Sequence, residues 1–243
     1  MRRTIRRGFR SVGLDIRRHT PWTSDLVERM LLTRRVDTIF DVGANIGQSA
    51  EGFRRMGFAG KIVSFEPVSH LFEQLRLKAE RDSLWHAENR ALGSAEGRMV
   101  IHVSGGHAGA SSMLEMTSNV TTNAPDQRVV RSEEITVTTL GAMMEKHYPE
   151  GDRCLLKLDV QGCEKSVLEG SLDVLGRVVG MKIEMSLVEN YKGETLLVEM
   201  LPYLYGLGFR AAGFENGWRN DGTGELYQVD CLLFRADAPI YRS

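Results

Sequence analysis

Asp41 and Glu66 frame the part of this sequence whose residue types and spacing say most about chemistry. Asp41-Val-Gly43-Ala44-Asn45-Ile-Gly47 ends a short apolar run, Thr38-Ile-Phe-Asp-Val42, and leads into a helix that opens near Gln48. Glycine positions let a ligand approach the backbone closely, and ligands of open α/β sheets sit outside the carboxyl ends of the strands. A dinucleotide fingerprint would read G-x-G-x-x-G and offer helix N–H groups to a pyrophosphate. Here the glycines are four apart, and a carboxylate at the strand tip repels a diphosphate but suits a cation. S-Adenosylmethionine carries an ammonium and a sulfonium and no phosphate. Glu66 follows at the tip of a second strand, Lys61-Ile-Val-Ser-Phe65, where a carboxylate can accept hydrogen bonds from both ribose hydroxyls. Together the two acids and the turn favour an S-adenosylmethionine pocket over one for NAD.

The elements that must position these groups alternate regularly. Residues 48–56 read as a helix stopped by Gly57, and Pro67 opens another with Val68, Leu71, Phe72, Leu75 and Ala79 at helical spacing. Strands are expected at 85–92, 98–103, 135–140, 154–159 and 178–185. Helices are expected near 140–147, on the stripe Val167, Leu168, Leu172, Leu175, and on the stripe Leu196, Leu197, Met200, Leu201, Leu204. Residues 209–214 and 229–235 close the pattern as a hairpin at one edge. Such alternation implies βαβ units and a parallel sheet with right-handed crossovers. Residues 104–132 break it. They are rich in Gly, Ser, Thr and Asn, and a connection this long reads as a lid or binding loop.

The 243 residues, 42% apolar and 26% charged, describe a soluble globular chain with net charge -1, which argues against a globally basic nucleic-acid binder. Charge is unevenly spread. Residues 1–35 hold ten arginines and three acids, so a basic arm at 1–35 precedes a mildly acidic body at 36–243. Ile5, Phe9, Val12 and Ile16 line one helical face of that arm. Packing on the body or on a second subunit is the favoured reading, ahead of contact with an anionic membrane surface. No apolar run approaches the length of a bilayer-crossing helix or a secretory signal. The cysteines, Cys154, Cys163 and Cys231, are odd in number and lack C-x-x-C spacing, which suits a reducing cytosol. His102 and His107 have no acidic partner nearby, so no metal is expected.

The sequence resembles the FkbM-type S-adenosylmethionine-dependent methyltransferases. The resemblance lies in Asp41-Val-Gly-Ala-Asn-Ile-Gly47 with Gln48-Ser49, Phe65-Glu66-Pro67, Asn89-Arg-Ala-Leu-Gly93 and Ser111-Ser112-Met113. It continues through Val137-Thr-Thr-Leu140, Lys157-Leu-Asp-Val-Gln-Gly-Cys-Glu164 and Ile183-Glu184, in the family's order from about residue 36 to 235. Gln161 departs from it, since the family more usually has Glu there. The resemblance implies a Rossmann-like class I methyltransferase: a seven-stranded, mostly parallel sheet, helices on both faces and a final antiparallel strand. It also implies O-methylation of a hydroxyl on a sugar, glycan or secondary metabolite.

On that basis Asp41, Gly43, Ala44, Asn45, Gly47 and Gln48 are expected around the methionine half of the cofactor, and Glu66 with Pro67 at the ribose. Asn89 and Ala91 would border the adenine. Asp159, ending the fourth strand beside the transferred methyl group, is expected both to border the cofactor and to act as the base, with Glu184 second and Lys157, on the same face as Asp159, also in the catalytic set. A purely structural ion-pair network of Lys157, Asp159 and Glu164 is an equally good account. Trp218, Tyr191 and Tyr227 lie in late loops where aromatics could stack on a sugar face, but an ordinary surface or core role is the favoured reading. The rival functions are a non-catalytic nucleotide-binding protein of the same fold and an NAD(P)-linked oxidoreductase.

Overall fold

A computed structural model describes residues 22–106, 109–220, 222–238 and 240. The apolar face at residues 5–16 and His107 lie outside the described residues. Strands β1 (Thr38–Val42), β2 (Lys61–Phe65), β3 (Trp85–Glu88), β7 (Cys154–Leu158), β8 (Val178–Ser186), β9 (Phe209–Asn216) and β10 (Gln228–Arg235) form one sheet in the order β3-β2-β1-β7-β8-β10-β9. The first five run parallel, while β10 is antiparallel to both β8 and β9. The expected edge hairpin is therefore present, with β10 inserted between β8 and the edge strand.

Strands β1 and β7 are buried along their whole length, as strands covered on both faces must be. Alternation then decides which helix layer each residue meets. Ile39, Ile62, Leu155, Val179 and Leu232 join one cluster with Val27, Met30 and Leu31 of α1 (Trp22–Thr33), Ala50 and Phe53 of α2 (Gln48–Arg55), and Leu75 of α3 (Ser69–Ala79). Phe40, Val63, Leu156, Met181 and Leu233 join the opposite cluster. Its helical members are Leu140 and Met144 of α5 (Leu140–His147), Val167 and Leu168 of α6 (Glu164–Glu169), and Met200 and Leu204 of α7 (Leu197–Gly206). Helix α1 belongs to the segment read as an arm, yet its apolar stripe packs on the sheet.

Three further expectations are corrected. Strand β5 (Gly97–Ser104) is not in the main sheet; it pairs antiparallel with β6 (Val129–Thr138), which also carries β4 (Ala91–Leu92). Residues 85–92 thus divide between two sheets at the Asn89-Arg90 turn. Apolar alternation marks a strand but not its partner, and the small sheet buries Ile101, Val103, Ile135 and Val137 against Val68 and Leu71 instead. Helix α6 stops at Glu169, and Leu172 is 53% exposed. Gly170 caps it in close backbone contact, where a Cβ would lie 2.1 Å from the Gly93 carbonyl oxygen. Residues 109–132 are also more regular than a bare loop, since they contain α4 (Ser118–Asn123), a short 3-10 turn (Pro125–Gln127) and the start of β6.

Candidate active site

The carboxyl ends of β1, β2, β7 and β8 meet around one cavity of about 590 Å³. At the β1 tip, Gly43 has φ +73, and a Cβ there would lie 1.8 Å from the Asp159 carbonyl oxygen. Only glycine lets the β1 turn and the β7 tip touch in this way. Asn45 also has left-handed backbone, φ 50, and its Oδ1 accepts from the Ile46 N–H at 2.7 Å. That side chain closes the turn, a role suited to Asn.

Glu66 faces this turn from β2. Its Oε2 accepts from Asn45 N–H and its Oε1 from Val68 N–H, each at 2.8 Å. Burial pushes its carboxyl up to about 7, against the pull of those two N–H groups and, more weakly, of the Lys157 charge. Asn89 braces the strand end, its Nδ2 donating to the carbonyls of Glu66 at 2.9 Å and Pro67 at 3.1 Å.

Beneath the turn lies a buried ion cluster. Register pairs Asp41 of β1 with Lys157 of β7. Lys157 Nζ stands 3.3 Å from Asp41 Oδ1 and 3.5 Å from Asp159 Oδ2, and donates to the Gly43 carbonyl at 2.7 Å. Burial disfavours the ammonium, but Asp159 and Asp41 outweigh that, so its pKa stands above the ordinary lysine value. Asp41 is fully buried, and Ser64 Oγ donates to its Oδ2 at 3.1 Å.

Across the cavity, Gln161 Nε2 donates to Asp159 Oδ1 at 2.8 Å and to Glu184 Oε2 at 2.7 Å. Gln228 Nε2 donates to the same Glu184 oxygen at 2.8 Å, and Tyr191 OH donates to Gln161 Oε1 at 2.7 Å. Glu184 Oε1 makes no hydrogen bond among the described residues. Burial holds the Glu184 carboxyl well above the usual range, reinforced by the charges of Asp159, Glu164 and Asp230 and opposed by Lys157. Glu164, the first residue of α6, accepts from Val160 N–H at 2.9 Å and Gly162 N–H at 3.3 Å, which braces the loop from behind. Burial lifts its carboxyl to about 7.

Of the expected cofactor residues, Gly43, Ala44, Asn45, Gln48, Glu66, Pro67, Ala91 and Asp159 line the cavity. Asp41, Gly47 and Asn89 do not. Asp41 points under the turn to Lys157, Gly47 packs against Trp85 and Leu75, and Asn89 ties strand ends together. Lys157, Asp159 and Glu184 all border the cavity. Sequence reasoning missed Gln228 and ranked a part in the site second for Tyr191 and Trp218, although all three line it. Tyr227 stands behind, edge-on to Trp218 with ring centroids 5.0 Å apart. Aromatic character in late loops was the advance signal for Tyr191 and Trp218, and Gln228 carried none.

Residues between 109 and 127 form part of the cavity wall. Ser112 Oγ donates to the Gln161 carbonyl at 2.6 Å, Tyr191 OH lies 3.0 Å from the Ala110 carbonyl, and Thr117 N–H donates to the Asn190 carbonyl at 2.9 Å. These anchors are few beside a β ladder. Amides of residues 109–127 are therefore expected to exchange faster than those of β1 and β7, and to gain protection when S-adenosylhomocysteine is added. Strong protection already present in the free protein would refute a moving wall.

Residues 41–214 match the family described as "Methyltransferase FkbM domain", which spans most of the chain. No curated protein matches it. Among solved structures, an rRNA methylase from Streptococcus thermophilus aligns with TM-score 0.48 and 11% identity, over 90% of this chain and 99% of its own. Magnesium protoporphyrin IX methyltransferase from Synechocystis PCC 6803, with bound SAM, aligns with TM-score 0.46 and 10% identity, over 96% of each chain. The ordered motifs, the β3-β2-β1-β7-β8-β10-β9 sheet and the match over residues 41–214 agree, and the chain belongs to the FkbM methyltransferase family, which depends on S-adenosylmethionine.

Proposed function

We propose that this protein methylates a hydroxyl of an uncharged small molecule or glycan, such as a sugar or a secondary metabolite, in the cytosol. The observation that carries this reading is the pair of carboxyl groups, Asp159 and Glu184, at the cavity beside the Gly43 turn. Among the described lining residues the one cation is Lys157, and its ammonium is taken up by Asp41, Asp159 and the backbone. Such a lining suits a cationic cofactor and an uncharged acceptor, and repels phosphate. When bound, S-adenosylmethionine supplies an electrophilic methyl group on a sulfonium. Glu66 is the residue to hold its ribose, and the turn from Gly43 to Gln48 its amino-acid end.

Asp159 is then the group that takes the proton of the acceptor hydroxyl, because its side chain is 37% exposed at the β7 tip, 3.5 Å from the Lys157 ammonium. Lys157 holds Asp159 from below. The test is methyl transfer from labelled S-adenosylmethionine to a panel of neutral saccharides, polyols, phosphorylated sugars, RNA and DNA. Transfer confined to neutral acceptors supports the reading, whereas labelled RNA or DNA would overturn it. Cofactor binding with no transfer to any acceptor would favour a binding protein instead.

The cofactor site makes its own prediction. The ionised form of Glu66 accepts from two ribose hydroxyls, so affinity for S-adenosylhomocysteine should rise as pH passes upward through about 7. The stability sign is opposite. A carboxyl raised from 4.5 to about 7 by folding favours the fold at low pH, and that contribution is lost as pH rises through that window. Calorimetry at three pH values on wild type and Glu66→Gln checks both. The variant should bind more weakly and lose this pH dependence, and an unchanged pH profile in Glu66→Gln would remove Glu66 from the ribose site.

A further inference from the structure

Gln161 stands out among the residues that line the cavity. Its backbone is left-handed, φ 55, and Gly162 follows at φ 94. For a residue with a long side chain this conformation is strained and persists only where the surroundings enforce it. Three bonds enforce it here: Ser112 Oγ donates to the Gln161 carbonyl, and Glu164 accepts from the N–H groups of Val160 and Gly162. What the strained loop delivers is an amide with every partner matched in kind. Its two N–H protons go to two carboxyl groups, Asp159 and Glu184, and its oxygen accepts from the Tyr191 hydroxyl.

We propose that Gln161 is a positioning residue, a neutral clamp that holds the Asp159 and Glu184 carboxyl groups at one fixed spacing on the cavity floor. Tyr191 sets the direction of the amide, and Gln228 secures the far side of Glu184. The unbonded Glu184 Oε1 and the exposed side of Asp159 are left for the acceptor. The part this clamp plays in catalysis rests on the function proposed above; the clamp itself rests on geometry alone. A glutamine does this where a glutamate cannot: a carboxylate at 161 offers no protons to share and adds a third negative charge. Glu184 already faces Lys157 from β7, Asp159 just past its end, Glu164 from α6, Asp230 from β10 and Tyr191 from the next loop. Two donated protons from one uncharged group thus ease the ionisation of a crowded pair.

The experiment is a pH titration by NMR of the full chain carrying ¹³C at the Asp and Glu side-chain carboxyls. Asp159→Asn and Glu184→Gln supply the assignments, and wild type is compared with Gln161→Met, Gln161→Glu and Tyr191→Phe. Because the two carboxyls interact, the midpoints read belong to the pair. Gln161→Met should raise the upper midpoint by about one pH unit or more, and Gln161→Glu by at least as much. Tyr191→Phe should move it the same way by less. A residue that merely fills space would lower the melting temperature and leave both midpoints in place, and wild-type midpoints in Gln161→Met would overturn the clamp. If Gln161→Met fails to fold, Tyr191→Phe, which leaves residue 161 and the local charge unchanged, decides on the same criterion. Calorimetry with S-adenosylhomocysteine on the same samples keeps the two ideas apart. Absence of binding in wild type would sink the functional reading, while the midpoint shift alone decides the clamp.

Discussion

Asp159→Asn is expected to lower turnover by about 10²–10⁴-fold while leaving fold and cofactor affinity nearly intact. The substitution is almost isosteric, and an Asn oxygen still accepts the Gln161 amide proton that now reaches Asp159 Oδ1 at 2.8 Å. What it removes is the capacity to take a proton from a hydroxyl, whose own pKa is far above neutrality. The rival account makes Asp159 a structural partner of Lys157. Their 3.5 Å pair has a 37% exposed carboxylate, and pairs of that kind contribute only about 0–1 kcal/mol. A structural role therefore predicts a small loss of melting temperature with activity following the folded fraction. The measurement is kcat on the best acceptor from the panel, with melting temperature and S-adenosylhomocysteine affinity for Asp159→Asn and Glu184→Gln side by side. Near-normal turnover in Asp159→Asn would pass the role to Glu184 or leave alignment of the reactants as the whole of catalysis.

Gly43 and Glu66 were legible because a strand tip, a tight turn and an acid at the next strand tip are short-range features, and the sheet order brings adjacent tips together. Asp41 was legible as chemistry but not as direction. In a strand, neighbouring side chains point to opposite faces, and the sequence does not say that Lys157, 116 positions later, stands opposite in register to claim this carboxylate. Tyr191 and Gln228 were beyond reach for the same reason. They lie on a loop after β8 and at the start of β10, and only the insertion of β10 beside β8 brings Gln228 onto Glu184. The small sheet was misread because an alternating strand such as β5 is equally good at a sheet edge or in a separate layer.

Lys157→Met should be the most destabilising single change at the site, by about 3–5 kcal/mol, because it strands a charge. Asp41 is fully exposed to the loss: it has no solvent access, and its Oδ1 has no hydrogen-bond partner, only the ammonium 3.3 Å away. Ser64 alone would remain on the other oxygen. At about 2–4 °C per kcal/mol for a chain of this size, the melting temperature should fall by roughly 6–20 °C. Asp41→Asn should cost much less, since Lys157 keeps Asp159 and the Gly43 carbonyl. The double variant Asp41→Asn/Lys157→Met removes the stranded charge and should recover a large part of the loss, a coupling that only neighbours show. A wild-type melting temperature in Lys157→Met would refute the buried pair. The same variants settle what Asp41 does for the cofactor. If the double variant folds well yet binds S-adenosylhomocysteine weakly, the acid acts on the ligand through its field. Unchanged affinity would confine Asp41 to anchoring Lys157 beneath the turn, leaving Glu66 and the backbone from Gly43 to Gln48 to hold the cofactor.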